Sequence, residues 1–271
     1  MLRYNIAKLV KGRRKGTSAQ LPQIHGTVRA EQDYLKACRS MLRQLARAVR
    51  KDLLPQIERE LKAQRAPNRV VGDVRPEDFE SLSRLSGALT RMTTRTVMRI
   101  LGLEAQRHTA QFMQTAKRAL GVDLSAVVRA DDLEEYMETV TTRNAGLIKN
   151  LSEDAINRVQ VTVTNAVTNG QTVAELKKQL VADFGFADRR AKRIARDQTA
   201  KFNSELNQIR QTQAGIIKYH WRTSHDERVR PLHRKLDGKE YQYGKPTGAE
   251  QGLPPGRPIL CRCIAQAIVE F

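Results

Sequence analysis

A chain of 271 residues with 40% hydrophobic and 5% aromatic content can fill one large domain or two smaller ones, but the aromatic share is low for a dense globule. Its formal net charge of +19 calls for a polyanionic partner, or one beside a polyanion, while saying nothing of fold. Three cysteines, with Cys38 far from Cys261 and Cys263, exclude a disulfide framework and fit assembly in a reducing cytoplasm.

No apolar run reaches the length of a bilayer span, and no apolar h-region follows the basic N-terminus, so neither membrane nor signal peptide is expected. The charge is uneven: +12 over residues 1–75, −1 over 76–186 and +8 over 187–271. Three domains are expected: a basic arm (1–26), a helical domain (27–186) and a C-terminal domain (187–271).

In the arm, Lys8, Lys11, Arg13, Arg14 and Lys15 crowd around Gly12 with little to bury. It reads equally as a solvated, partly disordered terminus or as an anchor on DNA phosphates or an acidic protein. From about 27 to 65, Tyr34, Leu35, Cys38, Leu42, Leu45, Val49 and Leu53 recur at three- and four-residue spacing, which predicts an amphipathic helix with a cationic exterior. Pro55 should kink or end it, and Cys38 belongs to its core face.

A linker follows at 66–75, then a helix opened by Pro76-Glu77-Asp78-Phe79 and interrupted at Gly87. A second helix is expected over 88–120 with Gly121 as its cap and His108 on the surface. Acidic residues from Asp131 open the next helix, Ser152 begins another, and Asn169-Gly170 ends it. Thr172-Val173-Ala174-Glu175 is a capping box that starts a short helix ending near Gly185. A basic helix over 188–213 would then set Arg189, Arg190, Lys192 and Arg193 against its own dipole, a cost that internal ion pairs or an anionic neighbour would offset.

After Gly215 the apolar period becomes two, predicting strands near 217–221, 239–243 and 260–269, with a Gly/Pro loop over 244–258. The fold class is therefore α+β, mainly α: an elongated bundle of long helices followed by a small α+β domain with a short antiparallel sheet.

Trp221-x-Thr223-x-x-Asp226-x-Arg228-Val229-Arg230-x-x-His233-x-x-Leu236-Asp237-Gly238, then the Gly/Pro loop and Cys261-Arg262-Cys263, resembles the C-terminal domain of phage Mu F-like minor head proteins, the phage head morphogenesis family. Arg193-Ile194-Ala195-Arg196-Asp197-Gln198-Thr199 resembles the helix preceding that motif, although the family commonly has an acidic residue where Gln198 stands. The likeness covers about 187–269. It implies a minor capsid protein of a tailed bacteriophage, placed in the virion at the inner capsid near the portal vertex after assembly in the host cytoplasm. Its implied partners are the portal protein, the major capsid protein and double-stranded DNA bound without sequence preference, with several copies around the portal.

On a strand, Cys261 and Cys263 face the same way and a disulfide between them would be strained. They offer two thiolates to a structural zinc, with His233 and Asp226 (or His225) completing a tetrahedron; the competing reading makes them small buried apolar residues, which Leu260 in front of Cys261 favours. Arg228 and Arg230 are expected in an internal network with Asp226, whereas Arg234 and Lys235 face phosphate together with Lys11, Arg13, Arg14, Lys15 and the basic helix. A metal-dependent nuclease acting on phage DNA is the alternative, but the motif lacks the carboxylate cluster such chemistry uses. A non-enzymatic binding protein is expected.

Overall fold

Long helices occupy most of the chain, and a four-stranded antiparallel sheet joins three C-terminal strands to a short N-terminal one, the mainly α, α+β class that the periods of the sequence predict. The computed structural model describes residues 2–64, 74, 76–129 and 131–271; the linker expected at 66–75 lies, residue 74 apart, outside them. In chain order the elements are α1 (Ile6–Leu9), β1 (Ser18–Gln20), α2 (Val28–Ala48), α3 (Leu54–Gln64), α4 (Glu80–Leu120), α5 (Glu134–Thr168), α6 (Val173–Gln213), β2 (Lys218–Arg222), α7 (Pro231–Arg234), β3 (Glu240–Gln242) and β4 (Ile264–Glu270). Among the described residues no helix is long and apolar enough to cross a membrane.

Several expected interruptions are absent. Gly87, Ser152 and Gly185 lie inside continuous helices. A lone glycine costs a helix about 1 kcal/mol relative to alanine, which buried neighbours outweigh. Pro55 does not end its helix either: a π-helical turn over Val49–Leu53 precedes it, and the wider turn relieves the clash between the proline ring and the carbonyl four residues back. The capping box at Thr172 forms, with the Thr172 amide donating to Glu175 Oε2 at 2.8 Å and the Glu175 amide donating to Thr172 Oγ1 at 3.2 Å. Because α6 starts there, Arg189 to Arg193 lie mid-helix, so the expected dipole conflict does not arise.

The chain forms two compact units. One comprises residues 32–98 and 141–195 and, among the described residues, its regular elements are all helical. Its core includes Tyr34, Cys38, Leu45 and Val49 of the expected stripe, together with Leu151, Val159 and Val163. Tyr34 donates to Asn144 Oδ1 at 2.9 Å inside that core, and the Ser86 and Ser152 hydroxyls meet at 2.7 Å.

The other unit comprises residues 1–31, 99–140 and 196–271 and contains the sheet, in the order β1-β4-β2-β3. The N-terminal segment is built into it, not left solvated: Ala19 pairs with Val269, the Leu21 amide donates to Ala267 O at 3.0 Å, and Ile6, Leu21 and Ile24 are buried beside Phe112, Ile216 and Ala267. The turn carrying Lys11, Arg13, Arg14 and Lys15 stays exposed. Short as it is, β1 escapes a period-two search, because a three-residue edge strand has no alternation to detect. His108, expected at the surface, is fully buried, its Nε2 3.1 Å from Asn207 Oδ1, and burial pulls its pKa down to about 4.

Candidate metal centre

The site grows out of β2 and its return through β4. In β2, Tyr219 and Trp221 point inward while Lys218, His220 and Arg222 stay half-exposed, as alternation dictates. After β2 the chain turns into α7, with Pro231 in the first turn and His233 facing inward. The His233 ring stands edge-on to Trp221 with centroids 5.2 Å apart, and Trp221 packs with Leu236, Cys261 and Cys263. That packing fixes the imidazole plane.

His233 Nδ1 lies 3.5 Å from Cys261 Sγ and 3.6 Å from Cys263 Sγ, and the three donor atoms fall within 4.8 Å of one another, all on buried residues. His233 Nε2 sits 2.7 Å from Glu250 Oε2, and the other carboxylate oxygen of Glu250 is 3.1 Å from Arg230 Nη1. A histidine whose second nitrogen is held by a carboxylate while the first faces two thiols has the second-partner arrangement usual for a metal-ligating imidazole. Partial burial opposes ionisation of Glu250, yet the bond from His233 and the charge of Arg230 hold its carboxyl below the usual range.

The thiols are placed by the loop before β4. The Gly256 amide donates to Cys261 Sγ at 3.4 Å. Gly256 has φ +82°, and a Cβ there would meet Ser204 Cβ at 2.6 Å, so both backbone and space require glycine. Ser204 Oγ donates to Pro255 O at 2.6 Å, tying this loop to α6. Leu260 is exposed and left-handed at φ +56°, its amide donating to Asp197 Oδ1 at 2.8 Å. The Cys261 thiol is drawn down by a hydrogen bond from Cys263, and Cys263, holding that proton against its neighbour, is pushed up. Two soft sulfurs and an imidazole suit zinc.

Of the predicted metal ligands, the structure gathers His233, Cys261 and Cys263; Asp226 is the correction. Its carboxylate pairs with the Arg262 guanidinium and accepts the Arg228 amide at 3.0 Å, and the Arg262 bond leads in holding it below the ordinary carboxylate range. The expected network of Arg228 and Arg230 around Asp226 is redistributed too: Arg230 goes to Glu250 and donates to Ile259 O at 2.5 Å. Glu250 was missed because it sits in the Gly/Pro loop, with no spacing that links it to His233.

Among the predicted phosphate-facing cations, Lys11, Arg13, Arg14, Lys15, Arg189, Lys192, Arg193, Arg234 and Lys235 are exposed. Arg190 is committed to Asp154 at 2.7 Å. Arg13 also lies over the Phe271 ring, 5.5 Å from its centroid.

Fold and site together define a mainly helical protein ending in a small antiparallel sheet with a buried His/Cys/Cys group. Residues 157–266 match the family described as "Phage Mu protein F like protein", so the Mu F-like resemblance is found, beginning at 157 rather than 187 and ending at 266 rather than 269. A Haemophilus influenzae protein described as "Uncharacterized protein" is 35% identical over 169 residues, which are 62% of this chain and 37% of that one. The chain thus spans little over a third of that relative. No solved structure matches.

Proposed function

We propose that the chain is a non-enzymatic minor head protein acting in head morphogenesis of a tailed phage, placed at the inner capsid near the portal vertex, with portal protein, major capsid protein and double-stranded DNA as partners. The match of residues 157–266 to the Mu F-like family supports this most, because that stretch holds all of α6 and the whole His/Cys/Cys group. In this reading His233, Cys261 and Cys263 hold a zinc that staples a small module with little apolar material, and the exposed cations meet DNA phosphates.

The DNA contact is tested by measuring affinity for an arbitrary duplex across a salt series. Each neutralised phosphate contributes about −0.9 to the slope of log K against log salt. Replacing Lys11, Arg13, Arg14 and Lys15 by alanine should flatten the slope by about 3.6 while sparing zinc content. Affinity indifferent to salt overturns DNA as a partner.

A further inference from the structure

The His/Cys/Cys group supplies three donors, and the fourth ligand expected from the sequence, Asp226, is spent on Arg262. Structural zinc sites normally close with four protein ligands, whereas three leave a coordination position for an external ligand. His233, Cys261 and Cys263 line a cavity of about 210 Å³, several times the roughly 30 Å³ a water molecule occupies in the liquid. Four arginines share its wall: Arg196 from α6, Arg228 and Arg230 from the turn before α7, and Arg262 between the cysteines.

Their charges are not equivalent. Arg262 is neutralised by Asp226 and Arg230 by Glu250. Arg196 and Arg228 have no carboxylate partner among the described residues. A divalent ion with two thiolates is itself neutral, so the cavity wall keeps two uncompensated positive charges. Arg196, Arg262 and the two cysteines also line the adjoining cavity of about 320 Å³, but there Glu31 and Glu104 offset the positive charge. An anion is therefore favoured in the smaller one.

We propose that the metal at His233, Cys261 and Cys263 keeps its fourth position open to this cavity and takes there a phosphate group, free or at a nucleic-acid terminus, held by the guanidinium groups of Arg196 and Arg228. The proposal rests on the zinc reading above. Guanidinium groups suit phosphate because their fork of donors matches its oxygens.

Cobalt(II) is the probe, since its sulfur charge-transfer and visible bands report the ligand set. The metal-free full chain is loaded with cobalt and titrated with inorganic phosphate, then with a short oligonucleotide bearing or lacking a 5′-phosphate. One equivalent of cobalt, with visible bands that move on adding phosphate, is the expected result. Arg196→Ala and Arg228→Ala should each weaken that response about tenfold, roughly what one charge-assisted hydrogen bond contributes, and leave cobalt stoichiometry unchanged. Arg228 is exposed, so its variant keeps the test valid if Arg196→Ala folds poorly. A response to the phosphorylated oligonucleotide alone supports the proposal with a nucleic-acid terminus as ligand, and a response to inorganic phosphate supports it with the free ion. Cobalt uptake with bands indifferent to every phosphate overturns the open position while the zinc reading stands. No cobalt uptake overturns both.

Discussion

The two units share α4, α5 and α6 and use them for different ends. In the all-helical unit these helices carry aliphatic stripes, and Tyr34–Asn144 and Ser86–Ser152 are polar pairs buried among them. In the sheet-bearing unit the same helices bury Glu104, His108, Asn203, Asn207, Arg210 and Gln211. Most of these reach main chain with no regular partner: Glu104 Oε1 accepts the Thr27 amide at 2.9 Å, Asn203 and Asn207 donate to Ile24 O at 3.2 and 3.1 Å, and Gln211 donates to Ala265 O at 3.2 Å. Buried backbone groups must be paired, so helix side chains stand in where loops and a short sheet leave them open. One unit is a packed bundle; the other is a polar frame holding irregular segments around the His/Cys/Cys group.

Removing the thiols gives the largest expected separation between the units. Structural zinc contributes on the order of 10 kcal/mol in small folds built around it. Cys261→Ser with Cys263→Ser should abolish bound zinc in elemental analysis and strip hydrogen-exchange protection from residues 218–270. The amides of 141–168 should keep theirs. Full protection of the sheet in the zinc-free variant would mean that Trp221, Leu236 and the polar frame hold the module without metal.

Acid separates the units by a smaller margin. Buried His108 titrates at about 4 in the folded state against an ordinary 6.5, with loss of hydration as the leading cause. Between those values the unfolded chain binds a proton that the native chain does not, so stability falls as pH drops from 6.5 toward 4, by about 3 kcal/mol in all. His108→Gln keeps a donor for Asn207 and titrates nothing. Denaturant unfolding should show a shallower acid slope in that variant. An unchanged slope would assign the acid sensitivity to other groups.

The contrast also explains what the sequence let one read. Aliphatic stripes and the switch to period two after Gly215 are local patterns, and they located the start of α2, the end of α5, and β2 and β4 to within a few residues. The convergence of His233, Cys261 and Cys263 was legible because rare donor types stood within forty residues on strand and turn signals. The burial of His108, the pairing of β1 with β4 and the grip of Glu250 on His233 have no local signature. Each depends on segments brought together by the fold, as His108 and Asn207 are across 99 positions. Asp226 was misassigned for the same reason: nothing near it in sequence shows that Arg262 would claim its carboxylate.

The smallest expected effect tests whether the helical unit is as local as its sequence. Thr172 is exposed and caps α6 through its reciprocal bonds with Glu175, while Leu176 and Leu180 one and two turns on are buried. Thr172→Ala removes the hydroxyl that accepts the Glu175 amide, a loss of about 1 kcal/mol where the first turn is otherwise anchored. Faster exchange should be confined to residues 173–177, because Leu176 keeps the turn docked and the effect of a cap fades within a turn. Equal acceleration in residues 218–270 would show that α6 transmits the loss along its length to the strands that follow it, and the two units would then answer to one cap.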